Sequence, residues 1–162
     1  MAGKRICLDT NVLVHAFLPR EGQEEMTERA LNLIETINKD KNFIIIPADV
    51  LAELMVTVPD GRVLEFFEFF GNNFQIVNFD SLAALQYRKI YREKKPEFCS
   101  PEYKRCSMAM DIRVMSTAIA SGASTIFTED KNFTKIASDY IQTLPMPNLP
   151  NRQLSLISKT MQ

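Results

Sequence analysis

Short apolar runs alternate with longer segments of helical period along this chain. Arg5-Ile6-Cys7-Leu8 has strand length and is broken by Asp9-Thr10-Asn11, after which Val12 to Phe17 is apolar again, as a helix from about Asn11. Thr27 to Ile37 places Ala30, Leu31, Leu33, Ile34 and Ile37 at helical spacing. Phe43-Ile44-Ile45-Ile46 is continuous and mostly β-branched until Pro47, as in a strand covered on both faces. Asp49 to Val58 reads as a helix ending before Pro59. Asp60 is placed to cap the next helix, which carries Val63, Leu64, Phe66, Phe67, Phe69 and Phe70. Gln75-Ile76-Val77 is a third strand, and Asp80 or Ser81 caps a helix reaching about Lys95. Pro96 to Pro101 forms a loop. A helix from about Cys106 to Ser121 stops at Gly122, and Ser124-Thr125-Ile126-Phe127 makes a fourth strand. A last short helix falls within Asn132 to Tyr140.

Strands alternating with helices, the central ones apolar throughout, predict an α/β fold around a parallel sheet. Residues 1–144 form one domain with no internal repeat. Residues 145–162, with Pro145, Pro147 and Pro150, form an irregular or weakly attached extension.

Composition narrows the class. At 162 residues, 46% apolar and 24% charged, the chain can bury a sizeable core. The net charge of -1 means that any nucleic-acid binding must come from a local patch. Cys7, Cys99 and Cys106 are odd in number and form no C-x-x-C pair, which speaks against a disulfide scaffold and for a reducing cytoplasm. His15 is the sole histidine, so Cys/His metal chemistry is disfavoured, and it reads as a partly buried helix residue. No run approaches the ~18 apolar residues of a membrane span, and no export signal is visible.

Four acids stand out. Ligands of open parallel sheets bind beyond the carboxyl ends of the strands. Asp9 follows the first strand and Asp130 follows "STIFTE". Glu53, within "IPADVLAEL", lies in the helix after the second strand, with Val50 and Val56 as face-mates. Asp111 lies near the start of "SMAMDIRVMSTAIASG", on the face of Met108, Met115 and Ala118. Carboxylates converging on one crevice repel each other, so they either take up protons or hold a hard cation. Oxygen-only ligands favour Mg²⁺ or Mn²⁺, which polarise a phosphoryl oxygen and lower the pKa of water for phosphodiester hydrolysis. Each acid alone has a plainer reading. Asp9 and Asp130 could be turn formers or helix caps, Asp111 a first-turn acid on the helix dipole, and Glu53 the partner of an Arg or Lys.

"ICLDTNVLV", "IPADVLAEL" and "DIRVMSTAIASGASTIFTEDKNF", in that order, resemble the PIN-domain family of metal-dependent ribonucleases, most closely the toxin subunits of VapBC-type toxin–antitoxin pairs. The resemblance covers about Arg5 to Phe133. It implies a three-layer α/β/α fold with a central parallel sheet of four or five strands. It also implies that Asp9, Glu53, Asp111 and Asp130 form the catalytic, metal-binding set for Mg²⁺ or Mn²⁺. Thr10 and Asn11 match the family's polar pair, with Asn11 orienting Asp9 or its loop. Thr128 matches its hydroxyl residue, placed to hold a carboxylate or a water. Glu129 departs from the pattern, either as an extra ligand or as an exposed residue.

Basic residues gather at Arg88, Lys89, Arg92, Lys94, Lys95, Lys104 and Arg105, among Tyr87, Tyr91 and Tyr103. Such a mixture suits a flexible nucleic-acid strand, or a solvated helix face. Lys104, Arg105, Arg113 and Lys131 neighbour the acids and are candidate RNA contacts. The aromatic run "VLEFFEFFGNNF" covers more than one helix face, so part of it is expected at a homodimer or antitoxin interface. The leading expectation is an endoribonuclease acting on single-stranded or loop RNA, with a cognate antitoxin. The alternatives are a non-catalytic PIN-like module docking RNA or protein, and a phosphoryl-transfer domain with Asp9 as nucleophile. Thr10-Asn11 lacks the second acid that this last design needs.

Overall fold

The computed structural model describes residues 3–96 and 105–150. Each predicted apolar run becomes a strand: β1 (Arg5–Leu8), β2 (Phe43–Pro47), β3 (Gln75–Val77) and β4 (Ala123–Phe127). A fifth, β5 (Gln142–Leu144), closes one edge. All pairings are parallel, in the order β3-β2-β1-β4-β5. Parallel neighbours need crossovers, and the helices supply them. Between β1 and β2 lie α1 (Thr10–Phe17) and α2 (Glu24–Lys39); between β2 and β3 lie α3 (Ala48–Thr57) and α4 (Val63–Asn73). The chain then recrosses the sheet through α5 (Ser81–Lys94) and α6 (Arg105–Ala120) to β4, and α7 (Lys131–Ala137) leads to β5. Crossovers of one hand running in opposite directions put their helices on opposite faces, which gives the three layers.

The middle strands are buried on both sides: Cys7, Leu8, Ile45, Ile46 and Ile126 are fully inaccessible. Burial pushes the Cys7 thiol far up, so it packs as a small apolar group. Asp80 caps α5 by accepting the Ala83 N–H at 2.9 Å. After α6 the chain turns at Gly122, with φ of 76°, a conformation that suits glycine. Asp60 does not cap α4. It starts a 3₁₀ turn (Asp60–Arg62) whose geometry leaves Arg62 at the helix entrance, and its side chain makes no cap hydrogen bond.

The aromatic run divides by helical phase. Phe66 and Phe70 are buried, while Leu64 and Phe67 are 78% and 59% exposed. Phe69 packs edge-on against Phe17, Phe70 and Phe74. The beginning of the C-terminal extension is attached. Met146 is buried in the core, its N–H is held by Glu129 Oε1 at 2.6 Å, and Arg29 of α2 donates to the Met146 and Pro147 carbonyls. Leu149 is also buried. No helix among the described residues is long and apolar enough to cross a membrane.

Candidate active site

From β1 the chain order moves one way through β2 and β3, and the other way through β4 and β5. The crevice beyond the carboxyl ends of β1 and β4 is therefore the topological switch point of the sheet, where ligands of this architecture bind. The ladder continues into the loops on both sides of it. The Asp9 N–H donates to the Phe127 carbonyl and the Thr128 N–H to the Leu144 carbonyl, each at 3.0 Å. Asp9 and Asp130 then cap the helices that follow. Asp9 Oδ1 accepts the Thr10 N–H at 2.8 Å, and Asp130 Oδ1 accepts the Asn132 and Phe133 N–H groups at 2.7 and 3.2 Å. The cap reading and the cleft reading of these acids thus hold together, because a cap at a strand end must face the crevice.

Asp9, Glu53, Asp111 and Asp130 line one open cleft of about 500 Å³, with Thr10, Asn11, Val14, His15, Arg20, Gln23 and Thr57. A second cleft, of about 630 Å³, adjoins it across Glu53, Asp111 and Asp130, and adds Asp49, Ala52, Val56, Ser107 and Met110. The clefts form two lobes of a trough whose shared floor is acidic.

A hydrogen-bond network organises that floor. Asp9 Oδ2 accepts from the Thr128 hydroxyl at 2.7 Å and from Asn11 Nδ2 at 2.9 Å. Thr128 Oγ1 in turn accepts from Asn11 Nδ2 and from the Asp130 N–H at 3.2 and 3.0 Å. Asn11 Oδ1 receives the Glu129 N–H at 3.1 Å, so this amide grips both the first acid and the loop of the last. The Thr10 hydroxyl donates to Glu53 Oε2 at 2.7 Å. Glu53 is exposed and pairs with no cation among the described residues; its helix-mate Val56 is 86% exposed, so only Val50 shares a buried face with it.

The electrostatics bear the mark of crowded carboxylates. Burial pushes the Asp9 carboxyl above its ordinary range, against the lowering effect of Thr128 and Thr10, and the Glu53 and Asp130 charges add to the rise. Asp111 is pushed to about 7, by burial first and then by Asp130, Asp9 and Glu53. It stands beyond the first turn of α6, so the helix dipole does not account for its position. Its face-mates Met108, Met115 and Ala118 are buried.

Among the described residues, no three His, Cys, Asp or Glu side chains are grouped so that they could hold a metal ion as they stand. The four acids nevertheless give the cleft an open, oxygen-only lining. This fits a hard cation that keeps several waters better than an all-protein cage.

The proposed basic contacts are placed differently from one another. Lys131 is exposed beside Asp130. Arg113 lines neither lobe but is held by Asp49 of the second one, its Nε 2.8 Å from Asp49 Oδ1, with its guanidinium 4.3 Å above the Phe79 ring. Lys104 lies outside the described residues, and of Arg105 only the backbone, at the start of α6, is described. In α5, Lys94 is buried and paired with Asp139 at 2.9 Å. Glu129 turns from the cleft to the Met146 N–H. His15, Arg20 and Gln23 line the cleft without any sequence signal. Only the packing of α1 against α2 brings the loop between them over the acids.

A sequence model of the PIN domain matches residues 6–139. Among solved structures, VapBC2 from Rickettsia felis bound to a promoter DNA fragment is similar at 21% identity, covering 88% of this chain and 99% of that one, with a TM-score of 0.65. DNA-bound VapBC from Salmonella typhimurium is similar at 18% identity, covering 89% and 99%, with a TM-score of 0.62. A toxin–antitoxin complex from Klebsiella pneumoniae gives 17% identity over 89% and 99%, with a TM-score of 0.60. No curated protein sequence matches.

Proposed function

We propose, from the premise that this chain belongs to the PIN-domain family, that it is a metal-dependent endoribonuclease and the toxin of a toxin–antitoxin pair. One observation carries the reading. Four carboxylates from four separate segments line one open cleft at the switch point of the sheet, and Asp9 and Asp111 are raised by burial and by the acids around them. An acidic cleft of this kind repels a polyanion unless a cation intervenes.

Asp9, Glu53, Asp111 and Asp130 would hold Mg²⁺ or Mn²⁺. When bound, such an ion polarises a phosphoryl oxygen and lowers the pKa of water. Thr128 and Asn11 fix the Asp9 carboxylate, Thr10 steadies Glu53, and the cap on α7 holds Asp130. The trough is open at both lobes, which suits a single strand or loop of RNA, and Lys131 is exposed next to Asp130 in the chain. Exposed Val56 and Met110 in the second lobe offer an apolar surface to an unstacked base. The likeness to toxin–antitoxin structures supports a cognate antitoxin, and the outward Leu64 and Phe67 suit that partner or a homodimer. A reducing cytoplasm fits the buried free Cys7.

The test is cleavage of mixed-sequence single-stranded RNA with Mg²⁺ or Mn²⁺, with excess EDTA, and with Asp130→Asn. Metal-dependent cleavage lost in both controls is expected. Cleavage unchanged by EDTA and by Asp130→Asn would overturn the reading. RNA binding with no cleavage under any metal would favour the non-catalytic module.

A further inference from the structure

The two lobes differ in charge. Arg20 is the one arginine or lysine among the described residues that line either of them. It lies in the loop between α1 and α2, and its carbonyl accepts the Gln23 N–H at 3.1 Å, which closes the turn beneath it.

Four other arginines are committed elsewhere, while Arg88 and Arg92 are exposed on α5 and line neither lobe. Arg5 donates to the Ser121 carbonyl, Arg29 to Pro147, Arg62 to Glu65 and Arg113 to Asp49. The Arg20 guanidinium has no hydrogen bond or ion pair with any described residue. This holds even though Glu21, Glu24 and Glu28 border a shallow hollow on its other side. Glu24 is turned to the Gly22 N–H instead, at 3.0 Å. A guanidinium left uncommitted beside a wall of carboxylates has a planar, bidentate fork available for an incoming anion.

We infer that Arg20 is a substrate-binding residue of this cleft and grips a phosphate of single-stranded RNA next to the one held at the acids. The inference rests on the nuclease reading and adds to it the group that draws the polyanion in. Even with one divalent ion bound, four ionised carboxylates leave the floor negative, so a neighbouring phosphate needs a cation of its own. Gln23 and His15, on the same wall, place polar groups beside that phosphate.

The experiment measures binding and cleavage separately. Binding of a fluorescently labelled single-stranded RNA is followed by anisotropy over a salt series, in an Asp130→Asn background that keeps the α7 cap. Adding Arg20→Ala is expected to weaken binding about tenfold, and to make the plot of log affinity against log salt shallower by about 0.7, the value for one phosphate contact on a single strand. Arg20→Lys should restore part of the affinity and the full slope, since it keeps the charge and loses the fork. With Asp130 intact, Arg20→Ala should raise KM more than it lowers kcat. Wild type that cleaves normally, with affinity and slope unchanged in Arg20→Ala, would overturn this inference and leave the nuclease reading standing. Wild type that neither binds nor cleaves would overturn both. Arg20 is exposed in a loop, so the variants should melt like their parents.

Discussion

The Thr128 hydroxyl donates to Asp9 Oδ2 at 2.7 Å, joining two residues 119 positions apart in sequence. The same oxygen accepts from Asn11 and from the Asp130 backbone, so one buried hydroxyl spans the two strand ends of the switch point. Thr128→Val keeps the shape and removes all three bonds. It should destabilise the fold by about 1–3 kcal/mol, because buried donors lose their acceptor. Thr128→Ser should recover most of that stability. Denaturant melts of both variants check this, with cleavage by Thr128→Val falling along with its stability.

The two strand-end acids should respond differently to amide substitution. Both Asp9 oxygens accept from donors that cannot reverse, namely the Thr10 N–H and the Asn11 amide. Asp9→Asn therefore sets an N–H₂ against a donor whichever way it turns, at about 1–3 kcal/mol, or a fall in Tm on the order of 5 °C. Asp130 caps α7 through Oδ1 alone, and asparagine caps a helix as well as aspartate does. Both variants should lose cleavage, while thermal melts show only Asp9→Asn to be destabilised. Equal melting of the two would mean that relief of the buried, crowded Asp9 charge offsets the lost acceptor.

The Asp111 carboxyl, raised to about 7, links stability to pH. Between an ordinary carboxylate value and 7 the folded chain holds a proton that the unfolded chain has released. The metal-free protein should thus lose stability as pH rises through that window, and Asp111→Asn should flatten the loss. Mn²⁺ acts in the opposite sense, since it replaces the proton. Its stabilising effect should be greater at pH 8 than at pH 5 and should release protons. Melts across pH, with and without Mn²⁺, test the sign.

Phe70 and Phe67 separate core from surface within one helix. Phe70 is fully buried and meets Phe17, Phe66, Phe69 and Phe74, so Phe70→Ala should cost about 3–5 kcal/mol. Phe67→Ala should stay within about 0.5 kcal/mol, as an exposed substitution does. Phe67→Glu should instead weaken self-association or antitoxin capture. Sedimentation with and without a co-expressed partner reads that effect; association unchanged by Phe67→Glu would remove this surface from the interface.

Periodicity made the first four strands and the order of the acids legible, because each inner strand is an apolar run ending at a polar loop. β5 was not legible: Gln142 and Leu144 are exposed on an edge, so no apolar run announces it. Asp111 could be suspected because its helix face is otherwise apolar. Glu53 looked comparable, but the exposure of Val56 shows that only one side of its helix is covered. Glu129 and Arg20 could not be read from sequence at all. Their roles depend on where the chain after β5 and the turn after α1 lie in space, and local spacing does not encode that.

A centre whose first acid is at residue 9 and whose last is at residue 130 has a consequence for the order of events during synthesis. At ~5–20 residues per second, Thr128 leaves the ribosome on the order of ten seconds after Asp9. Until β4 pairs with β1, the early acid has neither its hydroxyl partner nor its counterpart on the neighbouring strand. The site is therefore incomplete through most of translation, and its four acids come together only once nearly the whole domain has been made.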